Sequence, residues 1–307
     1  MTHTDPTSGN EPESSEDTHA GPSEGGQQDR RFVLHKPGGE PVRAGRNLPL
    51  AVGTGLALGA LVLASLFTYK ATFVAILVAA LAVGLRELNR AFSAQGTRIA
   101  LVPLAVGGTA MLVGAYFEGT EWLFGALALT AIAALTWRLG GGADGYVRDV
   151  GASLFTIVYV PLMLGFWLLL LNTPDDGRAR LIAFIIVTIA SDIGGYFAGI
   201  LFGRHKMAPT ISPNKTWEGF GGSLLACVLA GVLTVMLLLD GPSWVGMLLG
   251  AAVCLAAIVG DLIESLIKRD TGVKDMGSFL PGHGGLLDRL DSLLIAGPVA
   301  WLVLLLV

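Results

Sequence analysis

The sequence has little charge and almost no cysteine. Only 14% of its 307 residues are Asp, Glu, Lys or Arg, against about 25% in a typical soluble domain. Together with a mean hydropathy of +0.64, this excludes a water-soluble globular enzyme and an intrinsically disordered protein. The two cysteines exclude a disulfide-stabilised scaffold. The net charge of −4 has the wrong sign for a nucleic-acid-binding protein, so we expect no nucleic-acid partner.

Long hydrophobic runs are what the sequence has in abundance. Nine of them approach or exceed the length of about 20 residues that a membrane-spanning helix needs. These runs are continuous rather than alternating, which disfavours a membrane β-barrel. We therefore predict an all-α protein, a polytopic transmembrane helix bundle of about nine spans. The predicted spans are residues 47–68, 71–92, 99–117, 121–139, 150–172, 178–203, 217–240, 243–267 and 285–307.

The chain divides into three parts by composition. Residues 1–46 are rich in Pro, Ser, Gly, Thr and acidic residues. They cannot bury enough apolar surface to offset the entropy of ordering, so we expect a disordered cytoplasmic tail. Residues 47–172, the first five spans, carry few polar residues and are predicted to be a transmembrane scaffold. Residues 173–307, spans six to nine, are predicted to be the catalytic half.

The basic residues predict the orientation in the membrane. With the N-terminus in the cytoplasm, 17 of the 20 Lys and Arg lie on the cytoplasmic side, and only Lys70, Arg178 and Arg180 lie outside. This asymmetry is typical of plasma-membrane proteins with short loops. We therefore expect a multi-pass protein of the cell membrane, with the N-terminus and the active site cytoplasmic and the C-terminus outside.

Carboxylates inside the last four spans are the first functional signal. Each costs about 2.5–3.5 kcal/mol at the bilayer centre on insertion scales, so its presence needs a reason. They lie in the sixth span, in the eighth span and at the start of the ninth: Asp192, Asp261, Glu264, Asp288 and Asp291.

Helix geometry groups these carboxylates with other polar residues. Asp261, Ser265 and Lys268 share one helix face, and Asp288 and Asp291 share another. Two such faces opposite each other make an oxygen-rich site, which suits Mg²⁺ bridging to substrate phosphates. The alternative is that the carboxylates only form intramembrane salt bridges, for example between Asp261 and Lys268.

Two loops on the predicted cytoplasmic side carry basic residues. The first, residues 269–288, is called the basic loop below; it is glycine-rich and contains Arg269 and Lys274. Backbone amides in such loops cradle phosphate groups. The second, residues 203–219, contains Arg204 and Lys215. Two simpler explanations stay open, because Gly and Pro mark any tight turn and basic residues are common in any cytoplasmic loop.

Six short motifs in the second half carry a family resemblance. They are SDIGGY from Ser191, SPNKTWEG from Ser212, SLIKRD from Ser265, KD from Lys274, PGHGG from Pro281 and DRLD from Asp288. Their order and spacing are similar to the signature of the phosphatidate cytidylyltransferases, also called CDP-diacylglycerol synthases. The resemblance covers residues 150–307, and one departure is Gly195, where the family pattern suggests Ala.

The resemblance implies a reaction, a cofactor and partners. The reaction converts CTP and phosphatidate into CDP-diacylglycerol and pyrophosphate, for phospholipid biosynthesis. It implies Mg²⁺, with a second metal or a monovalent ion left open, membrane lipids as surroundings and a homodimer as the assembly. The alternatives are another CTP-using membrane lipid enzyme, such as a polyprenol kinase, or a secondary transporter.

With the resemblance, roles follow for the polar residues. The predicted metal ligands are Asp261, Asp288 and Ser265. The predicted catalytic residues are Asp261, Asp288, Asp291, Lys268 and Arg289. The predicted substrate-binding residues are Asp192, Arg204, Ser212, Asn214, Lys215, Ser265, Arg269, Lys274 and His283.

Overall fold

The computed structural model describes residues 48–277 and 284–307; the predicted tail, residues 1–46, and His283 lie outside the described residues. Within these ranges the chain forms helices and one short hairpin. The helices are α1 (Leu48–Phe67), α2 (Lys70–Ala94), α3 (Leu101–Phe117), α4 (Thr120–Trp137), α5 (Tyr146–Ile157), α6 (Met163–Asn172), α7 (Gly177–Phe202), α8 (Trp217–Leu238), α9 (Ser243–Thr271) and α10 (Leu287–Leu304). The strands are β1 (Lys206–Ala208) and β2 (Ser212–Thr216), and a 3₁₀ turn (Leu139–Gly141) follows α4.

Helices α5 and α6 are one continuous helix, interrupted by a π-helical turn at Val158–Leu162 that contains Pro161. Counted this way, the described ranges contain nine helices, and each coincides with a predicted span to within four residues at either end. The prediction of an all-α helix bundle is therefore confirmed. Its physical basis is simple, because long apolar runs bounded by polar residues leave little freedom in placing helix ends.

The number of helices does not by itself give the number of membrane crossings. Six helical stretches in the described ranges are long and apolar enough to cross a membrane: 70–94, 120–141, 146–172, 177–202, 217–238 and 243–271. Helix α3 has only 17 residues, and α10 carries Asp288, Arg289 and Asp291 in its first turns. The structure therefore supports a multi-pass membrane bundle, and nine crossings stay a prediction.

The hairpin is a departure from the expected loop between α7 and α8. Strands β1 and β2 pair antiparallel, with Lys206 opposite Thr216 and Ala208 opposite Ser212, and the register shifts between these pairs. Thr216 then caps α8, since its hydroxyl accepts a hydrogen bond from the Gly219 N–H at 3.1 Å. The strand therefore leads directly into α8 and fixes the position of Lys215.

Close helix packing in the second half depends on glycine. A Cβ on Gly194 of α7 would lie 2.6 Å from the carbonyl oxygen of Gly222 on α8. A Cβ on Gly260 of α9 would lie 3.0 Å from the carbonyl carbon of Asp291 on α10 and would also collide with its carbonyl oxygen. Small residues let helix backbones approach in this way inside membranes. The Gly260 contact places Asp261 next to the helix that carries Asp291.

Contacts between helix ends agree with an alternating up-and-down arrangement. At one end of the bundle, Lys70 donates to the Leu171 carbonyl at 3.2 Å and Arg180 donates to the Val307 carbonyl at 2.8 Å. At the other end, Arg148 donates to the Gly96 carbonyl at 2.7 Å. Lys70, Arg180 and the C-terminus belong to the side that the basic residues predict to be outside.

Replacing Gly260 by Ala tests the α9–α10 contact. We expect Gly260→Ala to destabilise the purified protein by about 1–3 kcal/mol, because the new methyl group meets rigid backbone of α10. The matched control is Gly221→Ala, since a Cβ there meets nothing within 4 Å. That change should be neutral or stabilising by about 0.5–1 kcal/mol. Thermal unfolding in detergent measures both, and equal midpoints for the two variants would contradict the packing argument.

Candidate active site

A polar cavity of about 350 Å³ lies between α7, the hairpin, α8 and α9. Four predicted substrate-binding residues line it together with one predicted metal ligand: Asp192, Ser212, Asn214, Lys215 and Asp261. A larger groove of about 530 Å³ between α3 and α4 is lined mainly by apolar side chains. Of these two cavities, the polar one therefore offers charged and hydrogen-bonding side chains to a charged ligand.

Two side-chain contacts hold the walls of this cavity together. The Ser223 hydroxyl of α8 donates to the carbonyl of Ser191 on α7 at 2.7 Å, next to Asp192. The ammonium group of Lys215, at the end of β2, binds the Asp261 carboxylate of α9. The side chains of Lys215 and Asp261 keep 23% and 24% of their exposure, so water-soluble ligands still reach the pair.

Three carboxylates from three helices converge here. Asp291 of α10 lies close enough to Asp261 and Asp192 for their negative charges to repel one another. Asp192 in turn lies within range of two cations, Lys215 and Arg289. Because like charges repel strongly where water is scarce, positive charge nearby stabilises such a cluster. The structure thus brings together the acidic residues that the sequence placed on separate spans.

A second group lies around Lys268 on α9. Its ammonium nitrogen is 2.5 Å from Glu264 Oε2 and 3.1 Å from Asp288 Oδ1. Asp288 also accepts hydrogen bonds from the backbone N–H groups of Met276, at 3.0 Å, and Gly285, at 2.7 Å. Asp288 therefore joins α9, α10 and the two ends of the basic loop that the structure describes.

The contacts of Lys215 and Lys268 test the alternative that the carboxylates only form salt bridges within the membrane. Ion pairs do form, although Asp261 pairs with Lys215 rather than with Lys268. Lys268 instead serves Glu264 and Asp288. Lys215 lies 46 residues before Asp261 in the chain, and the hairpin brings the two side chains together. The sequence pattern alone did not indicate it.

The remaining predicted residues lie farther from the cavity. Arg269 donates to the Ile211 carbonyl at 2.8 Å and so ties the end of α9 to the hairpin turn. Arg204 and Lys274 are exposed, and Ser265 is half-buried one helical turn after Asp261. These positions put basic side chains around the same end of the bundle.

The donor atoms of the site fit a hard cation. They are carboxylate and hydroxyl oxygens, with no thiolate among the residues that line the cavity. Glu264 Oε1 is buried and has no hydrogen-bond partner in the described part of the chain. Within residues 48–277 and 284–307, no three His, Cys, Asp or Glu side chains form a ready-made metal cage. Mg²⁺ is commonly held by one or two carboxylates together with substrate phosphates, and it stays a prediction for this site.

Two residues of the first half also lie near this region, and neither is among the site residues that the sequence predicts. Tyr159 is 4% exposed and lies within electrostatic range of Asp261, Glu264, Asp288 and Asp291. Its hydroxyl has no hydrogen-bond partner among the described residues. A tyrosine in an apolar span is typical of a packed core, so the sequence pattern does not distinguish Tyr159 from a core residue.

The second overlooked residue is Glu87 of α2. Its two carboxylate oxygens accept hydrogen bonds from the N–H groups of Leu286 and Leu287, each at 2.9 Å. Its side chain is buried, with 2% exposure. The signal that would have found it is the cost of a carboxylate within a predicted span, the same argument that singled out Asp192.

Comparison with known proteins gives a consistent result. Residues 50–307 match the Cytidylyltransferase family. The chain is 40% identical over 304 residues to a phosphatidate cytidylyltransferase of Mycobacterium bovis, covering 93% of this chain and 97% of that one. A phosphatidate cytidylyltransferase of Pseudomonas aeruginosa is 35% identical over 256 residues, covering 66% of this chain and 93% of that one.

Removing the Tyr159 hydroxyl tests whether it has a structural partner. We expect Tyr159→Phe to leave stability unchanged or to raise it by about 1 kcal/mol, because a buried hydroxyl without a partner is unfavourable. The control is Tyr146→Phe, which removes a hydrogen bond of 3.1 Å to the Leu135 carbonyl and should lower stability slightly. A fall in the unfolding midpoint of Tyr159→Phe greater than that of the control would show that the hydroxyl supports the fold.

Proposed function

The chain belongs to the Cytidylyltransferase family, and we propose that its polar cavity is where it transfers the cytidylyl group of CTP to phosphatidate. The products are CDP-diacylglycerol and pyrophosphate, so the chain is a nucleotidyltransferase of phospholipid biosynthesis. The observation that carries this assignment is the convergence of Asp192, Asp261 and Asp291 from three helices beside Lys215.

The chemistry needs charge compensation more than a strong base. The second pKa of a phosphomonoester is about 6, so phosphatidate is largely ionised at neutral pH. One of its oxygens attacks the α-phosphorus of CTP, the new P–O bond forms, and the bond to pyrophosphate breaks. Catalysis of such a transfer rests on holding the two phosphates in line and neutralising their charge.

The site residues fall into proposed metal ligands and proposed phosphate-binding residues. Asp261 and Asp288, with Ser265 as a further ligand, would hold Mg²⁺, which supplies positive charge at the triphosphate. Asp192 and Asp291 would orient the groups in the same cavity. The basic residues would bind the triphosphate or the released pyrophosphate, and they are Lys268, Arg269, Lys274 and Arg289. Lys215 and Arg204 would bind the lipid phosphate or the nucleotide with Ser212 and Asn214, and His283 would donate to a phosphate oxygen.

The ion pairs in the structure suggest how substrate and metal binding are coupled. Lys215 and Lys268 each neutralise a carboxylate that is a proposed metal ligand, Asp261 and Asp288 respectively. A phosphate group entering the cavity offers these lysines a second negative partner. When a lysine turns to the phosphate, its carboxylate becomes available to the metal. Substrate and Mg²⁺ should therefore strengthen each other's binding.

The location of the site follows from its two substrates. CTP is water-soluble and phosphatidate is held in the bilayer, so the reaction needs a cavity at the membrane boundary. We propose that the cavity lies at the cytoplasmic side of the cell membrane, with the N-terminus inside and the C-terminus outside. A homodimer remains an expectation from the family resemblance.

Asparagine substitution tests the assignment of the site. We expect Asp261→Asn and Asp288→Asn each to reduce CTP-dependent turnover of phosphatidate by about 100-fold or more, because each removes a negative charge at the proposed metal. Turnover is measured in detergent with Mg²⁺ titrated. Asp144→Asn, at an exposed loop position, is the matched control and should keep wild-type rates. Wild-type turnover in Asp288→Asn would contradict the metal assignment, and turnover with ATP instead of CTP would favour a lipid kinase.

Single cysteines test the orientation. The native thiols of Cys227 and Cys254 are buried, so background labelling should be low. Glu118 and Asp144 are exposed residues in loops on opposite sides of the predicted membrane. We expect Glu118→Cys to react with a membrane-impermeant maleimide in intact cells, and Asp144→Cys to react only after permeabilisation. The opposite pattern would invert the topology, and equal reactivity of both in intact cells would refute the alternation of spans between them.

A further inference from the structure

Helix α10 begins without a capping side chain of its own. The residue before it, Leu286, has no side-chain hydrogen bond to the helix. The first N–H groups of a helix have no partner within that helix and need one elsewhere. Glu87 of α2 supplies it, since its two oxygens accept the N–H groups of Leu286 and Leu287 at 2.9 Å each. The cap is therefore provided by a helix about 200 residues earlier in the chain.

The same carboxylate lies against the base of the basic loop. A Cβ on Gly277 would lie 2.8 Å from Glu87 Cδ and would also overlap Oε1. A Cβ on Gly285 would lie 2.9 Å from Glu87 Oε1 and 2.6 Å from the backbone nitrogen of Gly277. Gly277 and Gly285 therefore lie side by side against Glu87, at a spacing that leaves no room for a larger residue.

Asp288 also holds this base of the loop. The Asp288 carboxylate accepts hydrogen bonds from the backbone N–H groups of Met276, on one side of the base, and Gly285, on the other. The base of the loop is thus fixed between two carboxylates, Glu87 from α2 and Asp288 from α10. Hydrogen bonds to a carboxylate are about twice as strong as neutral ones, which makes this a stiff attachment.

We propose that Glu87 is a positioning residue of the reaction: it fixes the N-terminus of α10 and the base of the basic loop, and through them Asp288 and Asp291. Glu87 needs no contact with either substrate for this role. Misplacing a reacting group by about 1 Å can cost 100-fold in rate. The α2 helix therefore belongs to the catalytic apparatus, although it lies in the half of the chain that is predicted to be a scaffold. The inference rests on the proposed function for its kinetic part only.

The test uses Glu87→Gln in the full-length chain. Glutamine keeps the size of the side chain but has one acceptor oxygen, and its amide group faces an N–H that needs an acceptor. We expect kcat to fall by about 10- to 100-fold while the KM for phosphatidate changes by less than about twofold. Hydrogen–deuterium exchange should rise at residues 284–290 and stay unchanged in α3 and α8. Glu87→Asp keeps the charge and should recover part of the rate.

Two further variants complete the design. Gly277→Ala displaces the Glu87 carboxylate without altering it, and should reproduce the loss of kcat and the local rise in exchange. Glu118→Gln, at an exposed position after α3, should behave as wild type.

Two outcomes would overturn the proposal. One is wild-type kcat and wild-type exchange at residues 284–290 in Glu87→Gln. The other is faster exchange throughout the bundle with a loss of activity that only follows the folded fraction, which is the result for a purely structural cap. The exchange measurement needs no substrate, so it still decides the role of Glu87 if the wild-type chain fails to convert CTP and phosphatidate.

Discussion

Negative charge buried among apolar helices is the constraint on which the second half of this molecule depends. A carboxylate taken out of water needs a cation or several N–H donors, because its own desolvation is unfavourable. The structure provides such partners for four of the acids at this end of the bundle: Lys215 for Asp261, Lys268 for Glu264 and Asp288, and backbone N–H groups for Glu87. These pairings decide where the hairpin, the basic loop and the start of α10 are attached.

Helix packing and site chemistry are linked through glycine. The acids converge only because α7, α8, α9 and α10 approach one another closely, and larger residues at Gly194 or Gly260 would meet backbone atoms. Packing of this kind has no hydrophobic driving force inside a bilayer, since lipid tails are as apolar as the helices. Van der Waals contact and the ion pairs between helices must therefore supply the attraction. The same groups that would bind phosphate and metal also help to hold the bundle together.

Much of the fold, and part of the site, could be predicted from the sequence. The nine helices follow from nine long apolar runs, and Asp192, Asp261 and Asp291 stand out because carboxylates are rare in such runs. The pairing of Lys215 with Asp261 could not be predicted, because it depends on a two-stranded hairpin of only three and five residues. Tyr159 could not be found either, since an isolated tyrosine in an apolar segment is typical of a packed core. The distances that matter join residues far apart in the chain, and periodicity reports only neighbours on one helix.

The π-helical turn carries one residue of the first half that lies near the acids of the second, Tyr159. Pro161 has no N–H to donate, and the helix widens around it at Val158–Leu162, a distortion that often lies next to functional sites. Tyr159 lies in this turn, buried, with its hydroxyl near four carboxylates of α9 and α10. A π-helical turn contains more residues than an α-helical turn. The side chains before and after Pro161 therefore point in directions that differ from those in a regular α-helix. The hydroxyl is a neutral O–H donor that has no hydrogen-bond partner among the described residues. The mostly apolar composition of residues 47–172 therefore conceals two polar side chains, Glu87 and Tyr159, that lie beside the acids of the second half.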